Sequence, residues 1–195
     1  MLKKVVFVSF IIAISMTLKA INYSVSFTDV KSHYVSIAIT FNADGREYVD
    51  FKVPVWTPGS YKIREFSNAY ENVSAENLEI QRLNKNTWRI LTKGKTQVRL
   101  SYDVYCFTVS VRQSYADEYY AFLHGVSVFG YLEGYEDEKI ELNIYPKENW
   151  QNVEVSLPKS NASAYSYICK NYDLLADSPI ALGSFDTIGY ESGGV

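Results

Sequence analysis

Two histidines, His33 and His124, stand 91 residues apart and are the only imidazoles in the sequence. A zinc hydrolase of the helical type needs two His one turn apart with Glu after the first. Only that spacing sets both rings on one metal and a base beside its water. Neither His here is followed by Glu, so the chain itself carries no such motif and no metal ligand is assigned. Nucleophilic catalysis lacks its parts as well, because no Gly-x-Ser-x-Gly elbow occurs and bases are few. His124 sits in Ala121-Phe122-Leu123-His124-Gly125-Val126, apolar on both sides, and reads as a satisfied, partly buried histidine. As the base of an independent hydrolase it lacks a nucleophile. The acidic run Glu133–Glu138 reads as solvated surface, and Gly193-Gly194 has no phosphate-loop context. No catalytic residue is expected in this chain.

The densest information lies in Val53–Phe66, VPVWTPGSYKIREF. In Thr57-Pro58-Gly59-Ser60, Pro58 presets φ at the first central position and Gly59 supplies the positive φ that a type II turn needs at the second. Trp56 is expected to be covered, and Pro54, with no amide to give a ladder, points to an edge strand. Arg64 and Glu65 are adjacent, so on an extended chain they face opposite ways and each needs its own partner. Two readings stand: a structural ion pair with other strands plus a surface charge, or a contact with a neighbouring domain or ligand.

Elements that would position these residues follow from the hydrophobic pattern. Lys3 and Lys4 precede an apolar run, Val5–Met16, which with Ala20 reads as a secretory signal peptide over residues 1–20. That run is shorter than the roughly 20 apolar residues of a membrane span. The chain is therefore expected to be exported, periplasmic or extracellular, with no membrane segment after cleavage. Removing residues 1–20 takes Lys3, Lys4 and Lys19 with it, leaving 16 of the 19 basic residues against all 22 acidic ones, a formal net charge of −6. Nucleic acid is an unsuitable partner for such a surface. About 175 residues suffice for one domain that buries roughly 70% of the unfolded chain's surface, without disulfide staples. Cys106 and Cys169 are compatible with a disulfide or with buried free thiols. The 17 tyrosines suit either half-buried sheet positions or an aromatic platform for sugars.

Val35, Ile37, Ile39 and Phe41 alternate with Ser36, Ala38 and Thr40, the signature of a half-buried strand. Ala43-Asp44-Gly45 predicts a hairpin into a second strand over about 48–56. Leu78, Ile80 and Leu83 predict a strand turned by Asn84-Lys85-Asn86 into Trp88–Leu91. Lys93-Gly94-Lys95 leads into a long strand, Gln97–Arg112, whose length implies a bend or bulge. Tyr119–Leu132 reads as strand material broken by Gly125 and Gly130, followed by strands at Lys139–Tyr145 and Val153–Leu157. Only Tyr172–Ala176 looks helical, with Asp173 as its cap and Pro179 as its stop. The fold class is all-β: a single antiparallel domain of sandwich or saddle type with very little helix.

Pro54–Phe66 (PVWTPGSYKIREF) closely resembles the signature of the amino-terminal domain of the glycyl aminopeptidase family of zinc metallopeptidases, family M61. Asn84–Ile90 (NKNTWRI), Tyr102–Arg112 (YDVYCFTVSVR), Ala121–Phe129 (AFLHGVSVF) and Tyr172–Phe185 (YDLLADSPIALGSF) fall in that family's order. Two departures are Cys106, where a small residue is usual, and Ala181, where the family commonly has Glu. The resemblance implies a β-domain over residues 21–185, with 186–195 starting a connection to a catalytic domain absent from this chain. It implies no cofactor here and zinc in that catalytic domain, where a His-Glu-x-x-His helix removes amino-terminal residues, Gly and Ala preferred.

The implied partners are that metallopeptidase domain, on the same or a neighbouring chain, and a peptide substrate at the interface. Trp56, Pro58, Gly59, Tyr61, Arg64 and Glu65 are the cleft or interdomain candidates, and Asp177, Ser178 and Pro179 those of the junction. The alternative is a stand-alone secreted glycan- or peptide-binding β-module.

Overall fold

The computed structural model describes residues 20–57, 59–60, 62–186 and 188–189; the expected signal peptide, Pro58 and Tyr61 lie outside the described residues. Numbered along the chain, the strands are β1 (Ile21–Ser26), β2 (Tyr34–Asn42), β3 (Val49–Lys52), β4 (Tyr70–Ala75), β5 (Ile80–Asn84), β6 (Thr87–Ile90), β7 (Gln97–Tyr105), β8 (Tyr115–Ala116), β9 (Tyr120–Leu123), β10 (Tyr131–Leu132), β11 (Ile140–Tyr145), β12 (Asn152–Val155), β13 (Ser166–Cys169) and β14 (Ile180–Gly183). Two short helices, α1 (Gly125–Val128) and α2 (Tyr172–Ala176), interrupt them. A six-stranded sheet runs in the order β13-β11-β1-β2-β7-β4, and two four-stranded sheets run β10-β3-β6-β5 and β12-β14-β9-β8. The fold is all-β, as the alternation implies. β1 and β11 pair in parallel, and the other ladders are antiparallel.

β2 shows why the pattern works. Val35, Ile37, Ile39 and Phe41 are all buried, and each such burial contributes about 1.5–3 kcal/mol. On the other face Ser36 donates to Asp103 of β7 at 2.6 Å. Asp44 (φ 54°) and Gly45 (φ 72°) do form a tight turn, yet not the expected hairpin. Both edges of β2 are taken by β1 and β7, so the chain crosses to the β10-β3-β6-β5 sheet instead. The Lys93-Gly94 turn crosses back, and the two corners bond to each other through Lys93 N–H to the Glu47 carbonyl at 3.2 Å and Ala43 N–H to the Thr96 carbonyl at 2.7 Å.

Three further expectations are corrected. β7 ends at Tyr105 rather than Arg112, and the irregularity lies on its partner, where β4 shifts register between Glu71 and Ser74 with Asn72 at φ 52°. α2 is capped by Asn171, whose side chain accepts from Leu174 N–H, so Asp173 sits inside the first turn. The largest correction is Gly125–Val128, which is a buried helical turn and not strand material. Four residues are too few to show a period, and burial on all sides removes the polar face that would betray one.

That buried segment creates the fold's hardest problem, because backbone leaving a helix inside a core has no sheet partner for its polar groups. Tyrosine solves it. Tyr102 of β7 donates to the Val128 carbonyl at 3.1 Å, Tyr172 of α2 to the Phe129 carbonyl at 2.7 Å, and Tyr23 of β1 to the Gly130 carbonyl at 2.9 Å. Gly130 N–H closes the set by donating to the Tyr102 oxygen at 3.3 Å. Burial pushes all three phenols above their ordinary pKa, so they remain donors. Close approach is obligatory as well: a Cβ on Gly125 would lie 2.4 Å from the Ala176 carbonyl oxygen, and one on Gly130 would lie 2.4 Å from the Phe51 ring.

Replacing Tyr102 with Phe strands the Val128 carbonyl and the Gly130 N–H. Urea unfolding is expected to show a loss of about 1–3 kcal/mol, whereas Tyr145→Phe at an exposed position stays within about 0.5 kcal/mol. Equal midpoints for the two variants would contradict the assignment.

Candidate functional site

Where β3 ends, Val53 is clamped by the β5–β6 turn: its N–H donates to the Asn86 carbonyl at 2.9 Å, and Asn86 Nδ2 donates to the Val53 carbonyl at 3.1 Å. The chain then swings out into a loop closed at its base by Arg64 N–H on the Val55 carbonyl at 2.6 Å. Inside the loop Ser60 N–H donates to the Thr57 carbonyl at 3.0 Å, and Gly59 holds φ +78°. β3 lies between β10 and β6 and Pro54 falls beyond the ladder, so the expected edge strand is not observed. Trp56 lies past the ladder too, where no sheet covers it. Half of it is exposed, against the expectation that it is covered.

Trp56 instead lines a cleft of about 600 Å³. It is lined by Val53–Trp56 with Asn86, by Tyr131 and Glu136, by Tyr172, Asp173 and Asp177 of the α2 region, and by Val126 of α1. The tyrosine bonds to the Val128 and Phe129 carbonyls tie α1, which supplies Val126, to α2, which supplies Tyr172 and Asp173. The cleft brings together Trp56 and Asp177 of the sequence candidates. Gly59 stays in the loop, Ser178 is buried with its hydroxyl on the Leu174 carbonyl at 2.7 Å, and Pro179 leads into β14. Sequence reasoning missed Tyr131, Glu136 and Asp173, and the one signal for Glu136 was an acidic run that looked like ordinary surface.

Arg64 and Glu65 part company. Arg64 folds back over its own loop, with Nη2 donating to Ser60 Oγ at 3.1 Å and Nε buried without a partner among the described residues. Glu65 reaches Lys85 in the β5–β6 turn at 3.0 Å, both groups being exposed. Such a pair adds little to stability.

Three carboxylates, Glu136, Asp173 and Asp177, line the cleft, and among the described residues no basic side chain does. Focused by apolar walls, that charge gives the cleft a negative potential suited to a cation with an apolar neighbour. Tyr131 is held above its ordinary pKa, chiefly by burial and further by Glu136, with Lys52 opposing. Behind the cleft, His124 Nδ1 is buried without a partner among the described residues, where a satisfied ring was expected. Burial lowers the His124 pKa, and Asp177 partly offsets that. His33 is packed at 4.2 Å against Phe107 and its Nδ1 lies 2.7 Å from the Ala116 carbonyl. Both cysteines are free and buried, and burial pushes the Cys106 thiol up to about 12. Among the described residues no cluster of His, Cys, Asp and Glu is arranged to hold a metal, and no helix is long and apolar enough to cross a membrane.

An all-β domain of this topology matches a known amino-terminal module. Residues 22–184 match the model of the peptidase M61 N-terminal domain, and the chain belongs to that family. A solved structure of an aminopeptidase N family protein from Idiomarina loihiensis superposes with a TM-score of 0.83 at 28% identity. The similarity covers 90% of this chain and 31% of that one, so this chain spans about a third of its relative's length. No curated protein matches.

Because the folded His124 pKa lies below the unfolded value of about 6.5, the unfolded state takes up the proton first. Its contribution to stability is fully present above about 6.5 and is lost as pH falls through the folded value. Denaturation between about pH 7 and 5 should thus show a slope that His124→Gln flattens; an unchanged slope would contradict the lowered pKa of this half-buried ring. At the loop, Glu65→Ala is expected to shift stability by less than about 1 kcal/mol, checked by the same unfolding assay.

Proposed function

We propose that this chain is the non-catalytic amino-terminal domain of an exported zinc aminopeptidase, and that its acidic cleft forms part of the wall of the substrate site. Family membership supports the first half, since M61 is a metallopeptidase family. The longer aminopeptidase N family relative, of which this fold makes up about a third, supports a catalytic partner domain. The observation that carries the second half is the meeting of Trp56 with Glu136, Asp173 and Asp177 in one cleft. A peptide's free amino terminus is a cation that the three carboxylates attract, and a small apolar first side chain fits beside the Trp56 and Tyr131 rings. In this reading zinc and its bound water belong to the catalytic domain, and this domain contributes attraction and orientation of the peptide. The Lys3-Lys4 start and the apolar run after it support export.

The test is hydrolysis of a glycyl-arylamide by this chain alone and after mixing with the zinc-loaded His-Glu-x-x-His domain encoded with it or beside it. The chain alone is expected to be inactive and the pair active. Asp177→Asn should raise KM about fivefold with kcat nearly unchanged, the equivalent of about 1 kcal/mol for a partly exposed charge. Chelator-sensitive turnover by this chain alone would overturn the reading.

A further inference from the structure

The outward face of the six-stranded sheet is hollowed across its middle. One outward rung there is Tyr145–Ser26–Ser36–Asp103, and the next is Ser24–Ala38–Ser101–Ser74. Pleated surfaces favour β-branched and aromatic side chains, yet in these two rungs the central strands β1, β2 and β7 carry none. Short side chains leave a hollow of about 460 Å³, with Ala38, only 7% exposed, on its floor. Arg99 and Asn72 flank it towards β4, and Tyr145, 59% exposed, stands at its β11 end. Tyr145 also lines a second hollow, of about 430 Å³, with Pro146, Lys147, Glu148 and Tyr165. From β11 to β4 the sheet makes four inter-strand steps of about 4.8 Å, roughly 19 Å in all.

We infer that this trough binds a neutral oligosaccharide laid across the strands, one sugar ring stacked on Tyr145. A serine hydroxyl both donates and accepts, which matches it to a sugar hydroxyl in either sense. The Ser24 and Ser26 hydroxyls are bonded by no described residue and stay open to a ligand. Towards β4 the polar groups are already ordered: Asp103 accepts from Ser36 Oγ at 2.6 Å and from Asn72 Nδ2 at 2.8 Å, and the Ser74 and Ser101 hydroxyls lie 3.2 Å apart. A carboxylate fixed in this way keeps lone pairs for further hydroxyl donors. The exposed phenol ring of Tyr145 offers an apolar face to the C–H side of a pyranose and a polar tip to its hydroxyls. Charge selects against ions, because each hollow carries both signs, Arg99 with Asp103 in one and Lys147 with Glu148 in the other. Polypeptide cannot join as a further strand here, since β1, β2 and β7 are paired along both edges. The trough shares no lining residue with the acidic cleft, so the inference stands apart from the reading in the preceding section.

Amide NMR titration of this chain with maltohexaose, cellohexaose and chitohexaose reads the site directly. Saturable shifts are expected at the amides of Ser24, Ser36 and Ser101 with at least one of the three sugars. Tyr145→Ala should weaken that binding about tenfold, while its own unfolding stays close to that of the parent because the ring is exposed. Ser101→Lys, which fills the hollow from its floor, should abolish binding. No shift at those amides with any of the three sugars, or binding that Tyr145→Ala leaves unchanged, overturns the inference. Shifts at the same amides from an extended glycine-alanine decapeptide, and not from the sugars, would give the trough to polypeptide and overturn it too.

Discussion

Three phenol hydroxyls on three consecutive carbonyls are the constraint around which the domain is organised. Val128, the last residue of α1, and the irregular Phe129 and Gly130 that follow it cross the core, and each of their carbonyls accepts from a different buried tyrosine. Unpaired, each would cost about 1–3 kcal/mol, a large share of the stability of a domain this size. The donors come from β7, α2 and β1, so the same three bonds tie the six-stranded sheet to the helical corner. A phenol suits the task because its ring joins the apolar core while its hydroxyl serves the backbone. The abundance of tyrosine, open at first to a sugar-platform reading, finds part of its explanation here.

What this arrangement positions is the cleft. α1 is pinned from below by tyrosine and from the side by Gly125, whose missing Cβ lets the α2 carbonyls approach. α2 and its cap residue Asp177 bring Tyr172, Asp173 and Asp177 into the same cleft as Trp56. The carboxylates sit there at little cost because Asp173 and Asp177 remain exposed to water. Burial lowers the pKa of His124, and the carboxylate of Asp177 at the cleft partly offsets that. A domain with no metal cluster among its described residues can still shape chemistry in this way, through walls, charge and orientation.

Much of the secondary structure was legible from local pattern. Val35 to Phe41 fixed a face by period two, Asn84-Lys85-Asn86 marked a real hairpin, and the five helical residues before Pro179 were identified to the residue. Partnership was less legible. Alternation says which face is buried but not which strand lies alongside, so the Asp44-Gly45 turn, correct in its dihedrals, was assigned to a hairpin that two other strands had pre-empted. α1 was illegible because its burial is uniform. The cleft was legible only in halves: VPVWTPGSYKIREF and the DSPI segment stood out separately, while Tyr131 and Glu136 join them through a tertiary contact that no local spacing encodes. Arg64 and Glu65 show the limit from the other side, since a conspicuous pair of charges became a loop brace and a surface ion pair.

We propose that the cleft between the Val53–Phe66 loop and the last helix serves the substrate of a peptidase domain seated against it. The most direct measurement is a crystal structure of this chain bound to its His-Glu-x-x-His domain, with an uncleavable peptide occupying the zinc site. The peptide's amino terminus is expected within contact distance of Trp56 and Asp177. A complex in which that cleft faces bulk solvent, away from the peptide, would contradict it.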